Sequence, residues 1–174
     1  KALSNVGSVV ESPKPYSAFT VRDAIEMVGE FRGLSPETIR DRFDSLNEVL
    51  ELPSPDRYMY ALSKGLRQRV TLAGAIIADP AVILLDEPTS GLDPAERVRV
   101  RMLIQRLKKN HLILMSSHLL GEVSETCDDV VFLNHGKVLR QSRVSEFAAW
   151  RNSGRVEVEF LNAVNPGQLQ AIVS

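Results

Sequence analysis

The sequence has little of what marks secreted, membrane-spanning or nucleic-acid-binding chains. It contains one cysteine, Cys127, so an internal disulfide framework is excluded and a reducing compartment is favoured. Its longest apolar run is AVILL at residues 81–85, far short of the ~20 residues that a membrane span requires. The formal net charge of −1 gives no electrostatic reason to expect nucleic acid as a partner. With 174 residues, 44% of them hydrophobic and 25% charged, the composition indicates a globular chain of about one domain.

The spacing of apolar and turn-forming residues divides the chain into four segments. Residues 1–19 are predicted to hold a core strand, Val6–Val10, and a loop punctuated by proline; residues 20–62 are predicted to form a small helical subdomain. Residues 63–141 alternate between helix and strand, and residues 142–174 are predicted to be a C-terminal extension that starts an accessory domain. Alternating strands and helices predict the α/β fold class.

Several helix starts and one hairpin can be located more closely. Four predicted helices begin at a residue whose side-chain oxygen can cap the first turn, and these are Thr20, Ser35, Ser63 and Asp93. A hairpin is predicted around Asn134-His135-Gly136. Further on, a short helix is expected at residues 144–151 and a strand at residues 155–160.

Two strands are continuously apolar and end in polar residues. They read AVILLD and HLILMSS, a pattern typical of parallel strands buried on both faces of a sheet. Asp86 and Glu87 follow the first strand, and Ser117 and His118 follow the second. Because ligands of α/β sheets bind beyond the carboxyl ends of the strands, we expect these four side chains to share a site. By itself, the acidic pair is also compatible with an ordinary turn.

The residues around that pair decide between the two interpretations. The chain reads LSKGLRQRV at 62–70, VILLDEP at 82–88, SGLD at 90–93 and SSH at 116–118. In this order and at these intervals, the four stretches resemble the signature sequence, Walker B segment, D-loop and switch histidine of ABC-family ATPases. The resemblance runs from about Val6 to Gln141. It implies a partial P-loop NTPase (RecA-like) core with a small helical subdomain, and ATP and Mg²⁺ as cofactors.

The resemblance implies a catalytic group at the ends of the two strands. Asp86 would bind Mg²⁺, which needs only one or two carboxylates beside phosphate oxygens. Glu87 would act as the general base or orient the attacking water. His118 would contact the γ-phosphate, whereas His111 and His135 are expected to be structural.

The signature and D-loop residues are expected to face a second subunit. Ser63 and Gly65 lie at a helix start, where free N–H groups favour an anion and a glycine permits close approach. By resemblance they would contact the γ-phosphate of ATP bound to the opposite subunit, although ordinary capping by Ser63 is the alternative. Lys64 and Leu66 depart from the usual glycine and glutamine of the family. Asp93 would lie at the subunit boundary.

The stretch ESPKPY at residues 11–16 occupies the place of the family's Q-loop. Glu11 stands where glutamine is usual. A glutamate there can still reach a metal or a water, so we assign Glu11 to cofactor and metal binding. A solvated loop acid is the alternative.

One expected motif is missing. None of the ten glycines belongs to a G-x-x-x-x-G-K-[ST] phosphate loop. Family spacing puts this Walker A loop N-terminal to Lys1, so we expect the chain to be the C-terminal portion of a longer protein. On its own it should neither bind ATP tightly nor hydrolyse it, and its sheet should present an unpaired apolar edge that favours self-association.

The resemblance therefore implies the nucleotide-binding subunit of an ABC membrane transporter. Its partners would be transmembrane permease subunits and a second ATP-binding subunit, without nucleic acid, on the cytoplasmic face of the cell membrane. The Glu-x-Pro loop, the SKG signature and the RVEVEF segment resemble the branch that serves exporters. Two alternatives remain open: a soluble ABC ATPase of the translation or DNA-repair type, and a catalytically dead regulatory module.

Overall fold

The structure, a computed structural model, describes residues 5–11 and 17–146. The elements in chain order are β1 (Val6–Val9), α1 (Val21–Phe31), α2 (Pro36–Leu50), a 3₁₀ turn (Met59–Ala61), α3 (Lys64–Ile76), β2 (Val82–Asp86), α4 (Pro94–Leu107), β3 (Leu112–Ser116), α5 (Leu120–Thr126), β4 (Asp129–Asn134) and β5 (Lys137–Arg143). These bounds confirm the predicted elements to within a few residues. The expected helix at 144–151 extends past the described residues, and the strand at 155–160 lies outside them.

The four predicted helix caps are all present. At the start of α1, the Thr20 hydroxyl accepts from the Asp23 amide at 3.1 Å and the Asp23 carboxylate accepts from the Thr20 amide at 2.9 Å. This reciprocal capping lowers the pKa of Asp23, with the hydrogen bonds from Thr20 as the main cause. Ser35, Ser63 and Asp93 each accept from the amide three residues further on.

The strands β1, β2 and β3 form a parallel sheet in that order. The register pairs Val9 with Leu85 and Asp86 with Ser116. The carboxyl ends of the three strands consequently lie along one edge of the sheet. The loop with Glu11, the turn after Asp86 and the segment with His118 all leave the sheet at this edge.

The prediction that β2 and β3 are buried on both faces is wrong for the described residues. On one face Ile83 and Leu85 are buried in a core to which α3 and α4 contribute. On the other face, Leu84, Leu112 and Leu114 are 37%, 69% and 66% exposed. An apolar strand has the same composition whether one face or both are covered, so the sequence pattern could not distinguish the two cases.

The helices α1 and α2 pack closely on each other and are tied to the sheet-bearing part. A Cβ at Gly29 would come within 2.7 Å of the Ile39 side chain, so only glycine permits this approach of the two helices. Arg32 donates to the Val6 carbonyl at 2.8 Å, and Arg42 donates to the Ile77 carbonyl at 2.7 Å. These two bonds hold the helical segment against the strand and helix that carry the predicted site.

The chain divides into two compact units at the end of α5, residues 1–126 and residues 127–174. In the described part of the second unit, β4 and β5 pair as an antiparallel hairpin. His135 and Gly136 have φ values of +46° and +74°, which fit the tight turn predicted there. Within residues 5–11 and 17–146, no helix has the length and apolar character to cross a membrane.

Candidate functional site

Three polar residues meet where β2 and β3 end. Ser116 donates its hydroxyl proton to Asp86 Oδ1 at 2.7 Å and accepts from the Glu87 amide at 2.9 Å. The serine therefore fixes both the Asp86 carboxylate and the start of the next turn. Sequence reasoning had singled out Ser117 rather than Ser116. In the structure the Ser117 hydroxyl accepts from the Leu119 amide at 3.1 Å, which starts the segment leading into α5.

Glu87 lies in a tight turn with an unusual backbone. Its φ is +45°, in the left-handed region that non-glycine residues adopt only when their surroundings enforce it. The turn is closed by a bond from the Ser90 amide to the Glu87 carbonyl at 3.0 Å and one from the Leu92 amide to the Thr89 carbonyl at 3.2 Å. A strained residue at the carboxyl edge of a sheet is a typical feature of functional sites.

The structure brings Glu87 and His118 together. Glu87 Oε2 lies 2.9 Å from His118 Nδ1. The side chains are 21% and 67% exposed, respectively, so water and ligands can reach both of them. Within the part of the chain that the structure describes, Glu87 Oε1 and His118 Nε2 have no hydrogen-bond partner, so a ligand or water can bind there. This arrangement can orient a water molecule next to a proton-donating group.

Asp86 and Glu11 have the chemistry expected of Mg²⁺ ligands. In the described parts of the chain, no three His, Cys, Asp or Glu side chains converge on a position that could hold a metal by themselves. Magnesium in nucleotide sites needs only one or two carboxylates, with water and phosphate oxygens completing its shell. Asp86 is exposed and its Oδ1 is oriented by Ser116, so its carboxylate suits that role.

Ser90 joins three of the predicted segments. Its hydroxyl donates to Glu11 Oε1 at 3.0 Å, and its carbonyl accepts from Lys64 Nζ at 2.5 Å. A Cβ at Gly91 would come within 2.5 Å of the same ammonium group, and Gly91 has a φ of +65°. Lys64, which departs from the family's pattern, therefore holds the loop that contains Ser90 and Gly91. Glu11 is exposed and hydrogen-bonded to Ser90, and its assignment to cofactor and metal binding stays a prediction.

Ser63 and Gly65 lie at the start of α3. Their contacts among the described residues involve Leu66 and Glu96, not Glu87 or His118. Ser63 is exposed and its hydroxyl accepts from the Leu66 amide at 3.2 Å, as an ordinary cap does. Gly65 is buried, and a Cβ there would come within 2.5 Å of Glu96 Oε2. Close approach of α3 to Glu96 is thus a sufficient reason for this glycine. Asp93 is exposed and caps α4 by accepting from the Glu96 amide at 2.9 Å.

Sequence reasoning missed an ion pair between α3 and α4. Arg69 Nη2 lies 2.9 Å from Glu96 Oε2, and the Arg69 side chain is 7% exposed. Arg99 Nη1 also contacts Glu96, at 2.6 Å. The hydrogen bond from Arg69, more than any other interaction, lowers the pKa of Glu96 below its usual value. The sequence gives one indication of this pair: Arg69 is a charged residue on the apolar face of α3, and a buried charge needs a partner.

A second buried contact was also missed. The Thr89 hydroxyl donates to Glu122 Oε2, and these residues are 1% and 4% exposed. Glu122 lies on α5 between Leu119, Val123 and Thr126 at helical spacing. That spacing predicts that Glu122 lies on the inward face of the helix, and it is the sequence pattern that indicates a buried glutamate here.

Comparison with known proteins identifies the family. The model of the family described as "ABC transporter" matches residues 1–90, slightly more than half of the chain. The chain belongs to the ABC transporter family. The matched residues include the predicted signature (62–70) and Walker B (82–88) segments, whereas most of the predicted D-loop (90–93) and the predicted switch histidine, His118, lie beyond them.

Two curated relatives and one solved structure illustrate the similarity. The Nod factor export ATP-binding protein I of Ralstonia nicotianae is 34% identical over 148 residues, which cover 84% of this chain and 46% of the relative. The ABC transporter ATP-binding protein NatA of Bacillus subtilis is 36% identical over 126 residues, which cover 71% of this chain and 51% of the relative. The structure of cbiO1 from Clostridium perfringens, part of the ABC transporter complex cbiONQ, matches with a TM-score of 0.78 and 28% identity, covering 86% of this chain and 61% of cbiO1.

These comparisons confirm the predicted family and the α/β, P-loop NTPase fold. The chain spans about half the length of the curated relatives it matches. The roles assigned to individual residues are not tested by the comparisons and stay predictions.

Proposed function

We propose that this chain is part of the ATP-hydrolysing subunit of an ABC membrane transporter. The observation that carries the proposal is the contact between Glu87 and His118, 2.9 Å apart at the carboxyl edge of the sheet and next to Asp86. A base, a partner that orients it and an acid with metal-ligand chemistry are what hydrolysis of a phosphate anhydride needs at one place. Their order along the chain agrees with the family to which the chain belongs.

Each of the three side chains has a separate task. Asp86, oriented by Ser116, would hold Mg²⁺, and the ion when bound offsets negative charge on the phosphates. Glu87 accepts a proton from, or orients, the attacking water through the oxygen that His118 does not occupy. In its imidazolium form His118 donates from both ring nitrogens, so Nδ1 can bond to Glu87 while Nε2 bonds to a phosphate oxygen.

A second ATP-binding subunit would complete the nucleotide site. Ser63 and Asp93 are both exposed and each begins a helix, so their surfaces are open to a partner. The amides at the start of α3 suit an anion, and we propose that they contact the γ-phosphate of ATP held by that partner. Glu11, which is linked through Ser90 to the D-loop, would sense the occupancy of its own site.

Permease subunits would be the other partners, with the chain on the cytoplasmic face of the membrane. The similarity to cbiO1, part of a transporter complex, and to a Nod factor export protein supports transport, and the latter supports export in particular. The same similarities favour transport over a translation or repair function. Residues 1–174 contain no phosphate loop, so we propose that they alone are inactive; ATP turnover by the purified 174 residues would contradict this.

The substitution Glu87→Gln in the complete protein tests the proposal. Glutamine keeps the size of the side chain and an oxygen that can contact His118 Nδ1, but it cannot accept the proton, so steady-state ATP turnover should fall by about 100-fold or more. ATP affinity, measured by equilibrium binding, should stay within about twofold because glutamine removes no positive charge or phosphate donor.

The matched control is Glu125→Gln. Glu125 is 62% exposed and its side chain pairs with Arg101 at 3.1 Å, not with Glu87 or His118, so this variant should hydrolyse ATP at the normal rate. Undiminished turnover in Glu87→Gln would refute the role of Glu87. Loss of ATP binding in the same variant would show that the residue supports the nucleotide rather than the water.

A further inference from the structure

Thr89 and Glu122, whose side chains are in contact, follow Glu87 and His118 in the sequence by two and four residues, respectively. The Thr89 hydroxyl donates to Glu122 Oε2, and both residues are almost fully buried. The second oxygen, Glu122 Oε1, has no hydrogen-bond partner among the described residues. A buried carboxylate is costly unless it is hydrogen-bonded, so Thr89 is the group that makes this arrangement tolerable.

Among the described residues, this contact is one of three side-chain contacts that join the end of β2 and the turn after it to the end of β3 and the segment after it. In the first, Ser116 bonds to Asp86 and to the Glu87 amide. In the second, Glu87 meets His118. The third is the bond between Thr89 and Glu122, 33 positions apart in sequence. The three contacts occur in the same order along both segments, so the Glu87–His118 pair lies between two hydrogen-bonded anchors.

The two anchors, Ser116 with Asp86 and Thr89 with Glu122, differ in how easily water can replace their hydrogen bonds. Ser116 and Asp86 are exposed, and water can replace their hydrogen bonds at little cost. Thr89 and Glu122 are almost fully buried, and in such surroundings a hydrogen bond is stronger and its loss leaves a buried group unsatisfied. The buried anchor is therefore the one that can hold Glu87 in its left-handed conformation, with φ of +45°, against the tendency of the turn to relax.

We propose that Thr89 and Glu122 are positioning residues for hydrolysis, which fix the distance between Glu87 and His118 without contacting the nucleotide. Glu122 anchors α5, and the segment that carries His118 enters α5 through bonds from the Glu122 and Val123 amides to the Leu119 carbonyl. Thr89 anchors the turn that carries Glu87. The inference rests on the proposed function, because it assumes that Glu87 and His118 act together on water and phosphate.

The substitution Thr89→Val in the complete protein tests the proposal, since valine keeps the shape of threonine and removes only the hydroxyl. Turnover should fall roughly 10- to 100-fold, as expected when reacting groups are misplaced by about 1 Å. The KM for ATP should change less than about threefold, because neither residue contacts the nucleotide. Thr89→Ser keeps the hydroxyl and should restore most of the rate.

A readout independent of turnover is the side-chain NMR signal of His118, assigned by its disappearance in His118→Ala. In Thr89→Val without nucleotide, this signal should shift or broaden because His118 loses its fixed contact with Glu87. The signals of His111 and His135 should not move and serve as internal references. The matched control variant is Thr71→Val, in which the lost hydroxyl bonds only to the Arg67 carbonyl of its own helix.

A double-mutant cycle separates positioning from general loss of structure. If Thr89 acts through the pair, Thr89→Val should slow turnover much less in a His118→Ala background than in the native background. If the effects of Thr89→Val and His118→Ala on turnover multiply in the double variant, the proposal is overturned. It is also overturned if the His118 signal is unchanged in Thr89→Val. If Thr89→Val does not fold, Glu122→Met, which removes the acceptor and keeps a side chain of similar length, takes its place, with a comparable loss of rate expected. Should Glu87→Gln be fully active, the proposed function fails; should Glu87→Gln be inactive and Thr89→Val behave as native, only the positioning role fails.

Discussion

Two contacts between an acidic and a basic side chain have the same length and different exposure to solvent. Glu87 and His118 lie 2.9 Å apart with side chains 21% and 67% exposed. Arg69 and Glu96 also lie 2.9 Å apart, with side chains 16% exposed or less. Distance alone would rank them equally, but solvent screening makes an exposed pair worth little to stability, whereas a shielded pair is costly to break.

The difference assigns the two pairs to different tasks. An exposed pair can open to admit water or a phosphate oxygen and then close again, as a catalytic site requires. A shielded pair holds two helices in fixed relation. Arg69 on α3 and Glu96 on α4 join the helix that starts at the signature to the helix that starts at the D-loop. The exposed pair, Glu87 and His118, thus lies at the carboxyl edge of the sheet, and the shielded pair, Arg69 and Glu96, lies between two helices.

The largest expected effect on stability comes from breaking the shielded pair. Arg69→Met in the complete protein removes the charge that stabilises Glu96 and should lower the free energy of unfolding by about 3 kcal/mol. His118→Ala, which breaks the exposed pair, should lower it by less than about 1 kcal/mol. Urea unfolding followed by circular dichroism measures both values. Equal losses would remove the distinction between the two pairs.

The pH dependence of the same variants gives a matched check. The pKa of Glu96 is lowered in the folded protein, mainly by its hydrogen bond with Arg69, so its stabilising contribution is present above the unfolded pKa near 4.5. That contribution is lost as pH falls through the lower, folded value. Arg69→Met should therefore lose less stability than the native protein between neutral pH and this acid range. A native-like acid profile in Arg69→Met would contradict the assignment.

A smaller effect on the free energy of unfolding is expected from a substitution at Gly65, which tests how rigidly the shielded pair holds the Glu96 carboxylate. A Cβ at this position would come within 2.5 Å of Glu96 Oε2, whose carboxylate is held by Arg69 and Arg99. Gly65→Ala should therefore destabilise the protein by about 1 kcal/mol, even though alanine is the better helix former. In a Glu96→Ala background the clash disappears, and the same change should become stabilising by roughly 0.5–1 kcal/mol.

The control for this substitution is Gly121→Ala on α5, where nothing lies within 4 Å of an added Cβ. It should be neutral or slightly stabilising. If Gly65→Ala were harmless to stability in the native background and impaired only ATP turnover, the glycine would serve the nucleotide, as the family resemblance implies, rather than the packing of α3 against Glu96.

The features that sequence reasoning predicted well are local or follow from strand direction. Capping side chains act within three residues, so Thr20, Ser35, Ser63 and Asp93 could be located from their neighbours alone. The meeting of Asp86, Glu87 and His118 follows from the parallel arrangement of strands, because all carboxyl ends share one edge. Neither inference requires knowledge of which side chains touch.

The features that it missed join residues far apart in the chain. Arg69 and Glu96 are 27 positions apart, and Thr89 and Glu122 are 33 apart. Which inward-facing polar groups meet depends on how helices cross, and periodicity does not report crossing. The exposure of Leu112 and Leu114 was missed for a related reason: an apolar strand predicts a place in a sheet but not what covers each face.

The central claim is that Glu87 and His118 hydrolyse ATP as one unit. Its most direct test is steady-state ATP turnover of the complete protein with Glu87→Gln, His118→Ala and both changes together. We predict that the double variant is no slower, within about threefold, than the slower single variant, because either change disables the same step. A double variant whose loss equals the product of the two single losses would contradict the claim, since each residue would then act independently of the other.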